Sequence, residues 1–341
     1  MGLPAVPGVG VTARVLFPAL LVFVSSGAVA QTKLLVVTGI GGDPQYSEMF
    51  HEWAVTLIDA ATDRNNVAAD NVFYLGERLE RDPGRIRARS TKEEVVKTFQ
   101  VLARDAGPSD LVFVVLIGHG STRNDESRFN LPGPDLTAAE FDQLLDAFET
   151  QRIVFVNTST ASGGFVTALA APNRTIVTAT KTGFERNESV FGGFFVRAYA
   201  EDVADVDKDG RVSVLEAFTY AVQEVRRSYE SDNRLLTEHA LLEDNADGEG
   251  SGEPSVDGPD GSLAATMFLQ PSGPVTVAGI GDSVLTVLYR EKEAIEQQIA
   301  ALRARRSEMD QNAYELQLED LLVELTLKNR AIREREQGGG A

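Results

Sequence analysis

The side chains able to carry chemistry in this sequence are a histidine, a group of hydroxyls and a run of alternating carboxylates. His119 ends the apolar stretch D-L-V-F-V-V-L-I-G-H-G-S, and Ser159 and Thr160 end a second, R-I-V-F-V-N-T-S-T-A-S-G-G-F. An imidazole beside a hydroxyl is the minimum for acyl transfer: the ring takes the proton, the oxygen attacks, and backbone N–H groups hold the oxyanion. Gly118 and Gly120 let the backbone approach a ligand closely, while Gly163 and Gly164 open a helix whose positive end faces the same spot. The chain has no cysteine, so thiol catalysis and disulfides are both excluded.

The carboxylates lie in D-V-D-K-D-G-R-V-S-V-L-E. Asp205, Asp207 and Asp209 take loop positions one, three and five of an EF-hand pattern, with Gly210 at the sharp turn. The Arg211 carbonyl, Ser213 and Glu216 supply the remaining oxygens. Oxygen donors in this order converge on a hard cation, and the expected occupant is Ca²⁺ in a structural role, with an affinity suited to an extracytoplasmic compartment. An acidic turn between two helices remains the competing reading, because the hand is single.

Elements must place these groups. Both apolar stretches are bounded by turn signals and are too short for an ordinary helix, which predicts strands buried on two faces of a parallel sheet. Between them Thr137 and Glu140 form a capping box, followed by Phe141, Leu144, Leu145 and Phe148 on one helical face. Strand, helix, strand makes a right-handed crossover and brings His119 and Thr160 to the carboxyl ends of neighbouring strands, where open α/β sheets keep their chemistry. Further strands are expected at 33–38, 71–75 and 174–180, and further helices carry Phe50, Trp53, Ala54, Leu57 and Ile58, then Val95, Phe99 and Leu102. Residues 191–204 and the segment running to Tyr229 also read as helical. G-I-G-G-D-P after the first strand lacks both the dinucleotide fingerprint and a Walker lysine, and reads as a tight turn at the active edge. Residues 77–89 read as a solvated loop, 243–260 as a flexible acidic one, and 263–269 as a last short strand. Glu185 and Glu188 fall at the edge that carries His119, and His51 and His239 read as surface or capping residues.

With 341 residues and 43% hydrophobic content, the chain can hold one sizeable α/β core and an appendage. A net charge of −19 argues against nucleic acid as a partner, since phosphate binding needs clustered Lys and Arg. Residues 1–30 read as an export signal, with Arg14, an apolar stretch at 15–24, and Ala28-Val29-Ala30 before Gln31. The apolar stretch is shorter than a membrane span and contains Pro18, so cleavage is expected to leave no stable anchor and to deliver the chain to the periplasm or the exterior. After a linker at 273–283, residues 284–336 change to helix formers. Leu288, Ile295, Leu302 and Met309 recur every seventh residue, with Ile299 between them, and Leu316, Leu318, Leu321, Leu322, Leu325 and Leu327 follow a break at 310–313. This predicts an antiparallel hairpin of coiled-coil character, covered by itself, by the core domain at 31–272 or by a second copy of the chain.

The order strand, His-Gly, helix, strand, then Ser-Gly-Gly resembles the caspase and legumain (hemoglobinase) group of cysteine peptidases, loosely over 34–269. The resemblance implies a caspase-like three-layer α/β/α fold with a mostly parallel sheet, His119 as base and the Gly120 N–H as oxyanion donor. In that group the second motif reads Asp-Ala-Cys-X-Ser-Gly-Gly or Glu-Ala-Cys-X-Ser-Gly. Alignment on Ser162-Gly163-Gly164 puts Thr158 at the acidic position, Ser159 at the alanine and Thr160 at the cysteine. The missing acid and an arginine-free first loop both bear on the group's substrate pocket. A threonine hydroxyl is a far weaker nucleophile than a thiolate and carries a crowding methyl. Two expectations follow: a non-catalytic binding or scaffold protein for a protein or peptide ligand, stiffened by calcium, or a hydrolase using Thr160 or Ser159 activated by His119.

Overall fold

The computed structural model describes residues 30–201, 203–271, 283–304 and 309–338, together with Gly2 and Arg306. The leader read over 1–30 and the linker read over 273–283 lie, but for their ends, outside the described residues.

The apolar strands assemble into a seven-stranded sheet of order β10-β9-β8-β4-β1-β2-β3. These are β1 (Thr32–Thr38), β2 (Val72–Gly76), β3 (Ala88–Arg89), β4 (Leu111–Ile117), β8 (Arg152–Asn157), β9 (Arg174–Thr178) and β10 (Leu241–Glu243). All neighbours run parallel except β10, which is antiparallel to β9. Every residue of β4 is buried, as a central strand covered on both faces requires.

Alternate side chains build two cores. Phe113, Val115 and Ile117 meet α1 (Pro44–Asp59), α5 (Phe191–Ala200) and α6 (Val214–Ser231). Val112, Val114 and Leu116 meet α2 (Lys92–Asp105), α3 (Ala138–Leu145) and α4 (Gly164–Leu169). Helix, sheet, helix is therefore the layering, with Phe141 edge-on to Phe155 at 5.3 Å and to Phe99 at 6.1 Å in the second core. The capping box of Thr137 and Glu140 is formed in both directions, so α3 starts where the sequence sets it.

Four segments differ from their sequence reading. Between β4 and α3 lies a second, three-stranded sheet of β5 (Gly120–Arg123), β6 (Glu126–Phe129) and β7 (Leu136–Thr137). Its hairpin turns on Asn124 and Asp125, whose φ values of 53° and 61° match the primed turn that joins twisted strands. Residues 243–260, read as a flexible loop, are packed: Leu242 and Ser251 exchange both backbone hydrogen bonds, and Asp260 is 1% exposed. Residues 263–269 form no strand but a 3₁₀ turn, Ala264–Thr266, with a single bridge from Phe268 to Ser213. Within 77–89, Ile86 is buried and Ala88–Arg89 adds β3, so this stretch is only partly solvated.

Helices α7 (Ser283–Ala304) and α8 (Gln311–Gly338) form the hairpin, tied antiparallel by Lys328 to Glu291 at 2.7 Å. Ile295, Ile299 and Leu302 are buried, whereas Leu316, Leu322 and Leu327 of α8 face outward. Among the described residues no helix is long and apolar enough to cross a membrane. Replacing Phe155 by alanine empties a ring volume from the centre of the second core and is expected to lower unfolding stability by about 3–5 kcal/mol, read from the urea midpoint.

Candidate active site

Parallel pairing of β4 with β8 runs from Leu111↔Arg152 to Leu116↔Asn157. The Thr158 N–H extends this ladder by donating to the Leu116 carbonyl at 3.0 Å, and the Thr158 hydroxyl donates to the same oxygen at 2.9 Å. Beyond that point both chains leave the sheet at one rim, so His119 and the hydroxyl cluster become neighbours. Gly120 is where they touch: a Cβ there would stand 2.2 Å from the Thr160 carbonyl oxygen and 2.6 Å from the Ser159 hydroxyl. No side chain larger than hydrogen fits without moving the strand end.

The hydroxyls are engaged within the chain. Thr160 is 5% exposed; its hydroxyl donates to the Gly120 carbonyl at 3.1 Å and accepts from the Gly120 N–H at 3.2 Å. Among the described residues no hydrogen bond joins this hydroxyl to the His119 ring. Ser159 is fully buried, its hydroxyl donating to Asn157 Oδ1 at 2.6 Å. The backbone then turns through Ala161 at φ +54°, a left-handed conformation uncommon for a residue with a Cβ, held by the Ala161 N–H donating to the Glu185 carbonyl at 2.8 Å. Thr180 accepts from the N–H groups of Ser162 and Gly163 at 2.7 and 3.2 Å. The amide donors at the start of α4 are thereby satisfied by a side chain from the next strand end, and α4 itself is six residues long.

His119 sits between two rings, edge-on to Tyr46 at 4.8 Å and to Phe50 at 5.0 Å. Burial pushes its pKa down, and the Gly41 backbone and the Glu188 charge offset this only in part. The glycine-rich first loop thus lies beside the imidazole. Glu188 stands close to both His119 and Tyr46, whose phenol it pushes up in pKa. Glu185 is instead committed to His239, with ring nitrogen and carboxylate 3.1 Å apart, and also accepts from the Lys181 N–H. His51 bonds the Tyr74 hydroxyl at 2.9 Å. Phe50 and Thr180 carry no local signal of membership in the site, since their partners lie far off in sequence, whereas Gly41 belongs to the glycine turn that the sequence places at the active edge. Tyr46 follows directly on that turn.

The carboxylate loop lies between α5 and α6. Asp205, Asp207 and Asp209 bring oxygens within 4.8 Å of one another. Gly210 takes φ +84° and donates to Asp205 at 3.0 Å, and Glu216 accepts from the Ser213 and Val206 N–H groups at 2.9 and 3.0 Å. Burial, with Asp209 and Glu216 as like-charged neighbours, lifts the Asp207 carboxyl to about 6. Burial also works to raise Asp209, but Arg211 and Lys292 outweigh it and hold it low. Lys292 comes from α7: it is 2% exposed and its ammonium lies 2.5 Å from Asp209 Oδ2, while Arg211 reaches Glu296 of the same helix at 3.1 Å. The hairpin is therefore fastened to this loop by charge.

The depressed His119 pKa means that protonating the ring opposes folding. Its contribution is whole above the ordinary value of 6.5 and is lost as pH falls through the folded value, so the ring protons are expected to titrate with a midpoint below 6.5 by NMR. Gly120→Ala is expected to cost about 2 kcal/mol or more of stability by forcing the two strand ends apart, read from thermal unfolding.

No curated protein matches the chain. Among solved structures, one described as "Crystal Structure of drICE" is 12% identical with a TM-score of 0.39, over 63% of this chain and 87% of that one. A model described as the Peptidase C13 family matches residues 57–238, more than half of the chain, and its span takes in β4, His119, β8, Thr160 and the carboxylate loop. The chain belongs to the Peptidase C13 family.

Proposed function

We propose that this is an exported peptidase-fold protein whose rim no longer performs peptidase chemistry and instead serves a binding or scaffold role for a protein or peptide ligand. In this reading Thr160 stands where the family's catalytic cysteine would be. The observation that carries it is the double hydrogen bond between the Thr160 hydroxyl and the backbone of Gly120. That bond uses the N–H group which would otherwise hold an oxyanion, and directs the hydroxyl proton to a carbonyl rather than to an imidazole. Ser159, the other candidate nucleophile, is sealed from solvent. The chemistry points the same way, because an alcohol needs strong general-base help that a thiolate does not.

The reading includes Ca²⁺ held by Asp205, Asp207, Asp209, the Arg211 carbonyl, Ser213 and Glu216. Three converging carboxylates, a glycine at positive φ and a carboxyl raised by burial and by its like-charged neighbours suit a hard cation. Phe268 bridging to Ser213 gives this single hand the lateral support that a second hand would give. The ion and the Lys292 ammonium draw on the same Asp209. The outward leucines of α8 suit self-association through 284–336, and the leader suits delivery outside the cytoplasm.

Mass spectrometry after treatment with a fluorophosphonate or a peptide chloromethylketone tests the catalytic half. No covalent mass on Thr160 or Ser159 is expected; mass that disappears in His119→Ala establishes a hydrolase instead. For the metal half, Ca²⁺ is expected to raise the melting temperature of the EDTA-treated chain. Asp205→Ala should remove that part of the shift, and Lys292→Ala should bind Ca²⁺ more tightly by calorimetry because a competing cation is gone.

A further inference from the structure

Helix α8 carries apolar side chains on two opposite faces. Tyr314, Leu321, Leu325 and Ile332 recur at spacings of seven and four on the face turned towards α7 and the core. Tyr314 and Ile332 are buried there, Tyr314 lines a cavity beside Leu263, and Leu325 lines another beside Ile299 and Phe268. Leu316, Val323 and Leu327 repeat the same spacing two residues further on, about 200° round the helix, and each is more than half exposed. Leu322 borders them in a shallow groove shared with Leu318. Among the described residues nothing covers this outer face. It is a coiled-coil seam without its second helix.

The charge of α8 is divided along its length. Glu315, Glu319, Asp320 and Glu324 make the first half acidic, whereas in the second half Lys328, Arg330, Arg333 and Arg335 outnumber Glu334 and Glu336. The four acids of the first half are exposed, as are Arg330 and Arg335. Lys328 is engaged with Glu291 of α7, and Arg330 with Glu334, each at 2.7 Å; the second pair joins two exposed side chains and contributes little. The sign changes between Glu324 and Lys328, and the outward Val323 and Leu327 flank that point. A helix with an acidic half, an apolar middle and a basic half is complementary to itself when reversed, which is what an isologous two-fold contact requires. Laid parallel, two such helices would put like charges side by side.

We propose that the outer face of α8 docks a second copy of the chain in antiparallel orientation, about a two-fold axis crossing near Leu325. This dimer rests on the self-association through 284–336 put forward above and gives it a face, an orientation and a register. Val323 and Leu327 of one copy meet Leu327 and Val323 of the other at the centre, and the acidic half of each helix lies along the basic half of its counterpart. With α7 backing each α8, two hairpins close into a four-helix bundle. Because Lys292 and Arg211 fasten each hairpin to its carboxylate loop, the dimer presents two His119 rims on one particle.

Sedimentation equilibrium of the purified chain is expected to give a dimer. Val323→Glu combined with Leu327→Glu is expected to give a monomer with native helical circular dichroism, because both side chains face water in the single chain. The chain has no cysteine, so Thr326→Cys and Asn312→Cys each take one nitroxide label. In the dimer, electron–electron distances should be within about 20 Å for labels at Thr326→Cys, near the axis, and about 40 Å for labels at Asn312→Cys. A native chain that sediments as a monomer overturns this dimer and the self-association reading together. A dimer that the double glutamate variant leaves intact keeps self-association, through another surface, and overturns the α8 contact alone. Short distances at both label positions mean parallel helices and long distances at both mean another surface; either result overturns the arrangement, and the labels decide by themselves if the double variant loses its helical signal.

Discussion

The rim of this protein rests on the contact of Gly120 with the end of β8. Parallel pairing sets the register, and with Leu116 opposite Asn157 the two chains leave the sheet together and must pass within van der Waals distance. A glycine permits that passage, and the same closeness puts the Gly120 amide and carbonyl where the Thr160 hydroxyl reaches both. Position and chemistry are thus fixed by one steric fact. Whatever stands at residue 160 meets the backbone beside His119, and an alcohol there finds partners without the imidazole.

Around that contact the rim is held by bonds from separate elements. Thr180 binds the amides of Ser162 and Gly163, the Glu185 carbonyl takes the Ala161 amide at its left-handed turn, and Tyr46 and Phe50 pack edge-on against His119. A surface so tied is pre-organised, with its polar groups largely satisfied internally. Glu188 adds a negative charge that acts on both His119 and Tyr46.

At the far side of the first core the carboxylate loop serves as a mechanical joint. It links α5 to α6, is braced by the segment around Phe268, and carries the hairpin through Lys292 and Arg211. Arg211 also lies over the Phe268 ring at 3.8 Å, so one guanidinium connects loop, brace and hairpin. A cation at Asp209 would alter the charge that fastens α7, which couples the ion content of the loop to the seating of the appendage.

Much of this was legible locally. The apolar runs of β4 and β8, the capping box at Thr137 and Glu140, the glycines at 118 and 120 and the spacing from Asp205 to Glu216 are signals that neighbouring residues create for one another. They sufficed for the layered fold and for bringing His119 and Thr160 to one rim. The small sheet of β5 to β7 escaped because its strands are short and polar, although Asn124-Asp125 carried the turn's chemistry. What the tertiary structure alone decided are the contacts between distant segments: Tyr46 and Phe50 against His119, Lys292 against Asp209, and the choice of Gly120 over the imidazole as partner of Thr160. The same holds for Glu243, which the sequence places in a solvated acidic stretch and the sheet edge places in the interior. Charge and hydroxyl chemistry are written residue by residue, but whether a group meets water, a counter-ion or a backbone amide depends on which remote surface closes over it.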